Sequence, residues 1–341
     1  MNNPSSLSLE FLIPTYCRLD SAIAASQSIL DQLELIPVNV SVSIRLQDDA
    51  SPGLSDEEFY TRTNHLPAIV TRKKNKTNLG MSANIQSMIA TCEADFCTVL
   101  TDDDGLHSNV MGDIASELLA LRQPNGDFAA AALFVPRYSY LEDGSLYCIV
   151  CQEFPDDRIL QPSVTSAMKY ADNGFVLTGL FFQPQKICHS LWDSKIENAF
   201  FPVIYLGDIL LKAPVAYRNR NWFNHTVLNL CHWDSWGSTN QQRQARLCHD
   251  YLEALAVLHQ ESLRRYPNPS AAEKKQLSIA TTSAYRRQVD GYAQYLDLKL
   301  MLRSVPKSLW RQPEFLMAFQ PFLRKSLASA FKRRFANSQS N

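Results

Sequence analysis

Phe96-Cys97-Thr98-Val99-Leu100-Thr101-Asp102-Asp103-Asp104-Gly105 runs from β-favouring residues through a polar threonine into three consecutive carboxylates. The pattern predicts a buried strand that delivers dense negative charge to its own carboxyl end. Adjacent carboxylates repel one another unless a cation or several donors sit among them. Hard divalent cations such as Mg²⁺ or Mn²⁺ accept oxygen ligands of this kind and keep positions open for phosphate. The simpler alternative is a solvated Asp-rich turn that caps the next element.

Working outward, the preceding hundred residues alternate strand and helix. Leu7 to Ile13 reads as a first strand ending at Pro14-Thr15-Tyr16, and Asp20 is placed to cap a helix from Ser21 to about Leu33. Val38, Val40, Val42, Ile44 and Leu46 alternate with Asn39, Ser41, Ser43 and Arg45, a strand pattern that ends in Asp48-Asp49. A polar helix over Asp56 to Asn64 follows, then a short strand Ala68 to Thr71, the basic loop Arg72 to Lys76, Asn78-Leu79-Gly80, and a helix carrying Ile85, Met88 and Ile89. Such alternation predicts an α/β fold with a mostly parallel sheet flanked by helices, whose ligands sit beyond the carboxyl ends of the strands.

Four of these stretches in order, Ile13-Pro14-Thr15-Tyr16-Cys17-Arg18, Asp48-Asp49-Ala50-Ser51-Pro52, Asn78-Leu79-Gly80-Met81-Ser82-Ala83-Asn84 and Leu100-Thr101-Asp102-Asp103-Asp104, resemble the motifs of family 2 glycosyltransferases, over about residues 7 to 215. The resemblance implies a GT-A-type, Rossmann-like fold and inverting transfer of a sugar from a nucleotide-diphosphate donor to a hydroxyl acceptor, with Mg²⁺ or Mn²⁺. It implies a nucleotide-sugar site at Pro14, Thr15, Tyr16, Arg18, Asp49, Lys76, Asn78, Gly80, Asn84, Asp102 and Asp103. Thr15 and Arg18 would lie along the nucleotide, Asp49 would accept the base N–H, and Asn84 with the loop Lys76 to Gly80 would face base and ribose. The metal would fall on Asp103, with Asp102 near ribose and Asp104 near phosphate or metal; Thr101 stands where many members carry the first acid. In the second half, Gly174 to Phe182 reads as a strand broken by Gly179, where a ligand could approach the backbone. Asp208, at an apparent helix start, matches the family's general base, with Gly207 in place of the usual preceding Glu; Asp193 and Glu197 are reserves. His225 and His232 are further candidates for metal or phosphate. Trp222, Phe223, Trp233 and Trp236 suit core packing or stacking on an acceptor sugar or a lipid-linked carrier.

The whole chain of 341 residues has a formal net charge of −1, which gives no global attraction to nucleic acid. Its hydrophobic fraction of 45% is ample for a core. Of eight cysteines only Cys148 and Cys151 are closely spaced, and these read as packed thiols. With no signal-like start and no apolar run of bilayer length, the expected location is cytoplasmic. Past residue 238 helix formers dominate, so the division expected is a GT-A domain over 1–237, nucleotide-binding half about 1–106 and acceptor half about 107–237, with a helical extension over 238–341. Arg303 to Asn341 holds eight Lys or Arg against one acid, Glu314. Pro321 is expected to open a helix with a stripe of Leu323, Leu327, Phe331 and Phe335, suited to the cytoplasmic face of an inner membrane or to packing on the protein or on a second subunit of a homo-oligomer. A glycan or lipid-linked glycan is the expected acceptor. Two other functions fit parts of the pattern: a nucleotidyltransferase, although no Gly-rich phosphate loop follows the first strand, and an inactive nucleotide-sugar-binding scaffold.

Overall fold

The computed structural model describes residues 6–141, 143–175, 177–191, 197–226 and 239–338. In chain order the strands and helices are β1 (Leu7–Thr15), α1 (Leu19–Leu30), β2 (Val40–Asp48), α2 (Asp56–Thr63), β3 (Val70–Lys74), α3 (Met81–Ala90), β4 (Phe96–Val99), β5 (Asp104–Leu106), α4 (Met111–Ala120), β6 (Ala132–Phe134), β7 (Arg137–Tyr140), β8 (Leu146–Val150), β9 (Arg158–Leu160), α5 (Val164–Tyr170), β10 (Leu180–Phe182), α6 (Phe201–Lys212), β11 (Val215–Tyr217), β12 (Phe223–Thr226), α7 (Asn240–Arg265), α8 (Ala271–Tyr292), α9 (Leu298–Ser304) and α10 (Pro313–Ser338).

An eight-stranded sheet has the order β3-β2-β1-β4-β10-β6-β11-β9. Its first four strands are parallel, as is β11 with β6, while β10 and β9 run antiparallel to their neighbours. All four residues of β4 are buried, because helices cover both faces of the sheet. On one face α1, α2 and α4 pack on Phe11, Ile13, Ile44 and Leu46; on the other α3, α5, α6 and the C-terminal helices share a core with Leu12 and Val99. The expected α/β class, a mostly parallel sheet flanked by helices with a C-terminal helical region, is the one observed. A second, four-stranded sheet, β5-β12-β7-β8, stands against the carboxyl edge of β4.

Several boundaries differ from expectation. The first helix starts at Leu19 with Arg18 at its cap, so Asp20 lies in the first turn and caps nothing. Val38 is fully exposed in a turn after Pro37, and β2 begins at Val40. The supposed basic loop is largely strand, since β3 runs through Lys74. The expected strand over Gly174 to Phe182 shrinks to Leu180–Phe182, because residues 171–175 wind into a 3₁₀ turn. Pro321 lies inside α10 and does not open it. Proline offers no N–H to the carbonyl four residues earlier; here that carbonyl, on Met317, accepts from Arg286 Nη2 at 3.4 Å.

Candidate active site at the carboxyl edge of the sheet

The carboxyl ends of β1, β2, β3 and β4 line one rim. Thr15 ends β1 and lies opposite Asp48 at the end of β2; the Asp49 N–H donates to the Thr15 carbonyl at 2.9 Å. Between β1 and α1, Cys17 adopts φ +60°, and its N–H donates to Ser51 Oγ at 2.7 Å, which ties the first loop to the second. The rim therefore behaves as one assembly of loops.

Each carboxylate after β4 has its own partners. Asp102 accepts from Thr15 Oγ1 at 2.8 Å and pairs with Arg18, which also reaches Asp103 at 3.3 Å. Burial pushes the Asp102 carboxyl up to about 6, with Arg18 and Thr15 acting in the opposite sense. Asp104 accepts from Thr101 Oγ1 at 2.6 Å and Arg137 Nη2 at 3.1 Å, and pairs with His225 Nδ1. Burial alone would raise the Asp104 pKa, but Arg137, His225 and Thr101 together hold it below the usual carboxylate range. Arg18 and Arg137 therefore offset part of the charge of the acidic run from within the protein itself.

The second sheet is what brings Asp104, His225 and Arg137 together. Asp104 in β5 is the register partner of His225 in β12, and cross-strand partners place their side chains side by side. Arg137 opens β7, which pairs with β12 on its other edge. Thr101, where the family motif often has an acid, is fixed by Thr178, whose hydroxyl accepts from the Thr101 N–H at 3.2 Å and lies 3.1 Å from Thr101 Oγ1. A threonine suits this place because its hydroxyl can donate to Asp104, which a carboxylate could not do. Ligand atoms of Asp103, Asp104 and His225 all lie within 4.8 Å of one another.

A second network lies under the loop after β3. Asp49 accepts from the Leu79 N–H at 2.9 Å, the Gly80 N–H at 3.0 Å and Asn75 Nδ2 at 2.8 Å. A carboxylate has about four acceptor positions, so Asp49 shapes the loop through three of them. Asn84 does not face outward as expected. It is buried, and its Oδ1 accepts from Gln47 and Asn75 at 2.8 and 2.9 Å. Its place in the first turn of α3 points the amide under the sheet edge, so it positions the loop from below. Gln47 and Asn75 went unanticipated. Lys76 and Asn78 are exposed on the loop, Tyr16 is 44% exposed, and Pro14 is half-buried within β1.

Gly80 has φ 83° and ψ 159°, a backbone region reserved for glycine, and a Cβ there would lie 2.5 Å from Glu197 Oε2. Glu197 in turn accepts weakly from the Ser82 N–H at 3.3 Å. Burial raises its carboxyl pKa, opposed by the Ser82 bonds and by Arg246.

Two expected site residues sit in packed surroundings. Asp208 is a correction: α6 begins at Phe201, so Asp208 lies in mid-helix, fully buried, between Lys212 and Arg265, the latter at 2.9 Å. Gly207 beside it is a glycine because a Cβ would lie 2.5 Å from Leu258 of α7. Gly179, with φ +93°, approaches Val135 and Phe223, whose side chains fill the space proposed for a ligand. Trp222 and Phe223 are core residues, and the Trp222 indole donates to Asp113 at 2.7 Å. Asp193, His232, Trp233 and Trp236 lie outside the described residues. Cys151 is a packed thiol, pushed up to about 12 by burial.

No protein-family model and no curated protein matches the sequence. Among solved structures the fold is similar to that of S. aureus TarS 1–349, at 11% identity over 95% of this chain and 92% of that one, with a TM-score of 0.50. The structure of TarS 1–349 in complex with UDP-GlcNAc gives a TM-score of 0.51 at the same identity and coverage. The likeness spans the sheet and the C-terminal helices alike.

Proposed function

We propose that the chain is an inverting glycosyltransferase that moves a sugar from a nucleotide-diphosphate donor to a hydroxyl of a glycan or lipid-linked glycan. The observation that carries this reading is the clustering of Asp103, Asp104 and His225 beside Arg18, on the rim where such sheets bind ligands. The shared fold with a protein solved with UDP-GlcNAc supports it.

The donor set fits a divalent ion. Two carboxylates and an imidazole suit Mn²⁺ at least as well as Mg²⁺, which prefers an all-oxygen shell. When bound, the ion would neutralise the diphosphate as the leaving group departs. Arg18 and Arg137 add fixed positive charge beside the same carboxylates, and Thr101 and Thr178 hold Asp104 in place. Asp49, through the backbone of Leu79 and Gly80, shapes the loop that would cover the nucleoside. With Asp208 engaged in its ion pairs, Glu197 is the better candidate for the base that accepts the hydroxyl proton. It lies just before α6 and beside the rim loop, and a carboxylate whose pKa is raised by burial is the stronger base.

The basic surface of α10, with Arg324 and Lys325 exposed, supports a place at an anionic lipid surface on the cytoplasmic side. No described helix is long and apolar enough to cross a membrane. The test is a thermal shift with UDP, GDP, CDP and dTDP, with and without Mn²⁺. The expected result is stabilisation by one nucleotide that needs the metal and is lost in His225→Ala. Donor turnover should fall about 10²–10⁴-fold in Glu197→Gln. No stabilisation by any nucleotide, with or without metal, would overturn the reading.

A further inference from the structure

One cavity of about 640 Å³ lies next to the carboxylate cluster, where the second sheet and α6 meet the C-terminal helices. Its walls include Arg137 of β7, Asp172 and Phe175 of the 3₁₀ turn, Phe200 ahead of α6, Tyr251 of α7 and Gln288 of α8. The volume is in the range of small-molecule sites. Arg137 joins it to the cluster, because the same guanidinium that donates from Nη2 to Asp104 also lines the cavity.

The lining has two chemical characters. Aromatic rings form one side: Phe200 lies 4.2 Å from Tyr251 and 6.2 Å from Phe175, centroid to centroid. The polar side carries both acceptors and donors, Glu153 and Asp172 among the first and Arg137, Asn173 and Gln288 among the second. Arg137 Nε is buried without a hydrogen-bond partner, while burial raises the Asp172 carboxyl pKa against the opposing pull of Arg287, Tyr251 and Gln288 around it. Asp172 Oδ2 accepts from Arg287 at 2.9 Å and Gln288 at 3.4 Å. With carboxylates beside a guanidinium and amides on this side, the cavity is suited to a ligand with both donors and acceptors. An anion would meet Asp172 and Glu153, and a cation would meet Arg137. A neutral ring with hydroxyls that both donate and accept, and C–H faces that rest on aromatic rings, satisfies every wall.

We infer that this cavity is the acceptor subsite, that it takes a neutral pyranose ring, and that α7 and α8 supply part of it. The inference deepens the transferase reading and rests on it. The C-terminal helices thereby select the acceptor while the sheet rim selects the donor, and Arg137 links the two.

The test is saturation-transfer NMR on the full chain with methyl glucoside, methyl galactoside and methyl N-acetylglucosaminide. At least one is expected to show saturation of its ring protons. Its affinity is expected to fall about tenfold or more in Gln288→Leu and in Phe175→Ala, as loss of one hydrogen bond or one stacking face implies. Phe175 is 40% exposed and Gln288 half-buried, so both variants should keep the unfolding transition of the parent, checked by circular dichroism. Absence of saturation for all three glycosides overturns the inference, as does unchanged affinity in both variants. The donor reading fails differently, through lack of nucleotide stabilisation of the unsubstituted chain in an assay that contains no glycoside.

Discussion

Gly80 shows how tightly single positions are specified on the rim. Its φ 83° and ψ 159° lie where other residues are strained, and a Cβ would meet Glu197 Oε2 at 2.5 Å. Gly80→Ala should therefore cost about 1–3 kcal/mol from the backbone, plus displacement of Glu197. A lower midpoint in chemical denaturation together with weaker donor turnover is expected; an unchanged midpoint would show that the loop can adopt another conformation. Asp208 makes the opposite case, a fully buried carboxylate held between two cations. Its oxygens face Lys212 and Arg265 across α6 and α7. Both cations are about one quarter exposed, so water screens part of the loss. Asp208→Ala should destabilise the chain by about 1–3 kcal/mol, below the cost of breaking a wholly buried pair. A large fall in turnover with an unchanged melting midpoint would return Asp208 to the role of base.

At the scale of elements, what could be read from the sequence follows the range of the interactions. Strands β1, β2 and β4 and helices α1 to α3 announce themselves through local periodicity, and the acids at their ends mark the rim. The second sheet does not. Strand β5 has three residues, too few to show alternation, and it pairs with β12 across 121 positions of chain. His225 could thus be singled out by residue type, whereas its partnership with Asp104 depended on a register no local pattern encodes. Asp208 was misplaced for a related reason: an apolar run with one acid looks like a helix start, but α6 is buried all round and so lacks an amphipathic signature. Helix α10 supplies an element-scale test. Pro321 sits exposed within it, and the carbonyl it cannot serve is met only by Arg286 at 3.4 Å. Pro321→Ala should restore a backbone hydrogen bond and raise stability by about 1–3 kcal/mol. A fall in melting midpoint would mean that the proline sets a bend the packing of α10 on α8 requires.

The whole molecule turns on whether the C-terminal helices form a separate unit, as the change in composition after residue 237 suggests. Their core residues Leu252, Leu255, Leu258, Tyr285 and Phe315 belong to one cluster with Met168, Ile204 and Leu210 of α5 and α6. Each such side chain contributes about 1.5–3 kcal/mol when fully buried, and a domain's whole stability is about 5–15 kcal/mol. Loss of α7 to α10 would leave α6, buried from Phe201 to Leu211, with one flank in water where Leu258 now rests on Gly207. The exposed face would be apolar and continuous, a surface prone to self-association. A chain ended at residue 237 is therefore expected to aggregate, or to unfold without a cooperative transition, when followed by light scattering and calorimetry. A soluble product that melts sharply at the midpoint of the full chain would instead make 1–237 a domain in its own right, and the acceptor cavity would then be a joint between two bodies.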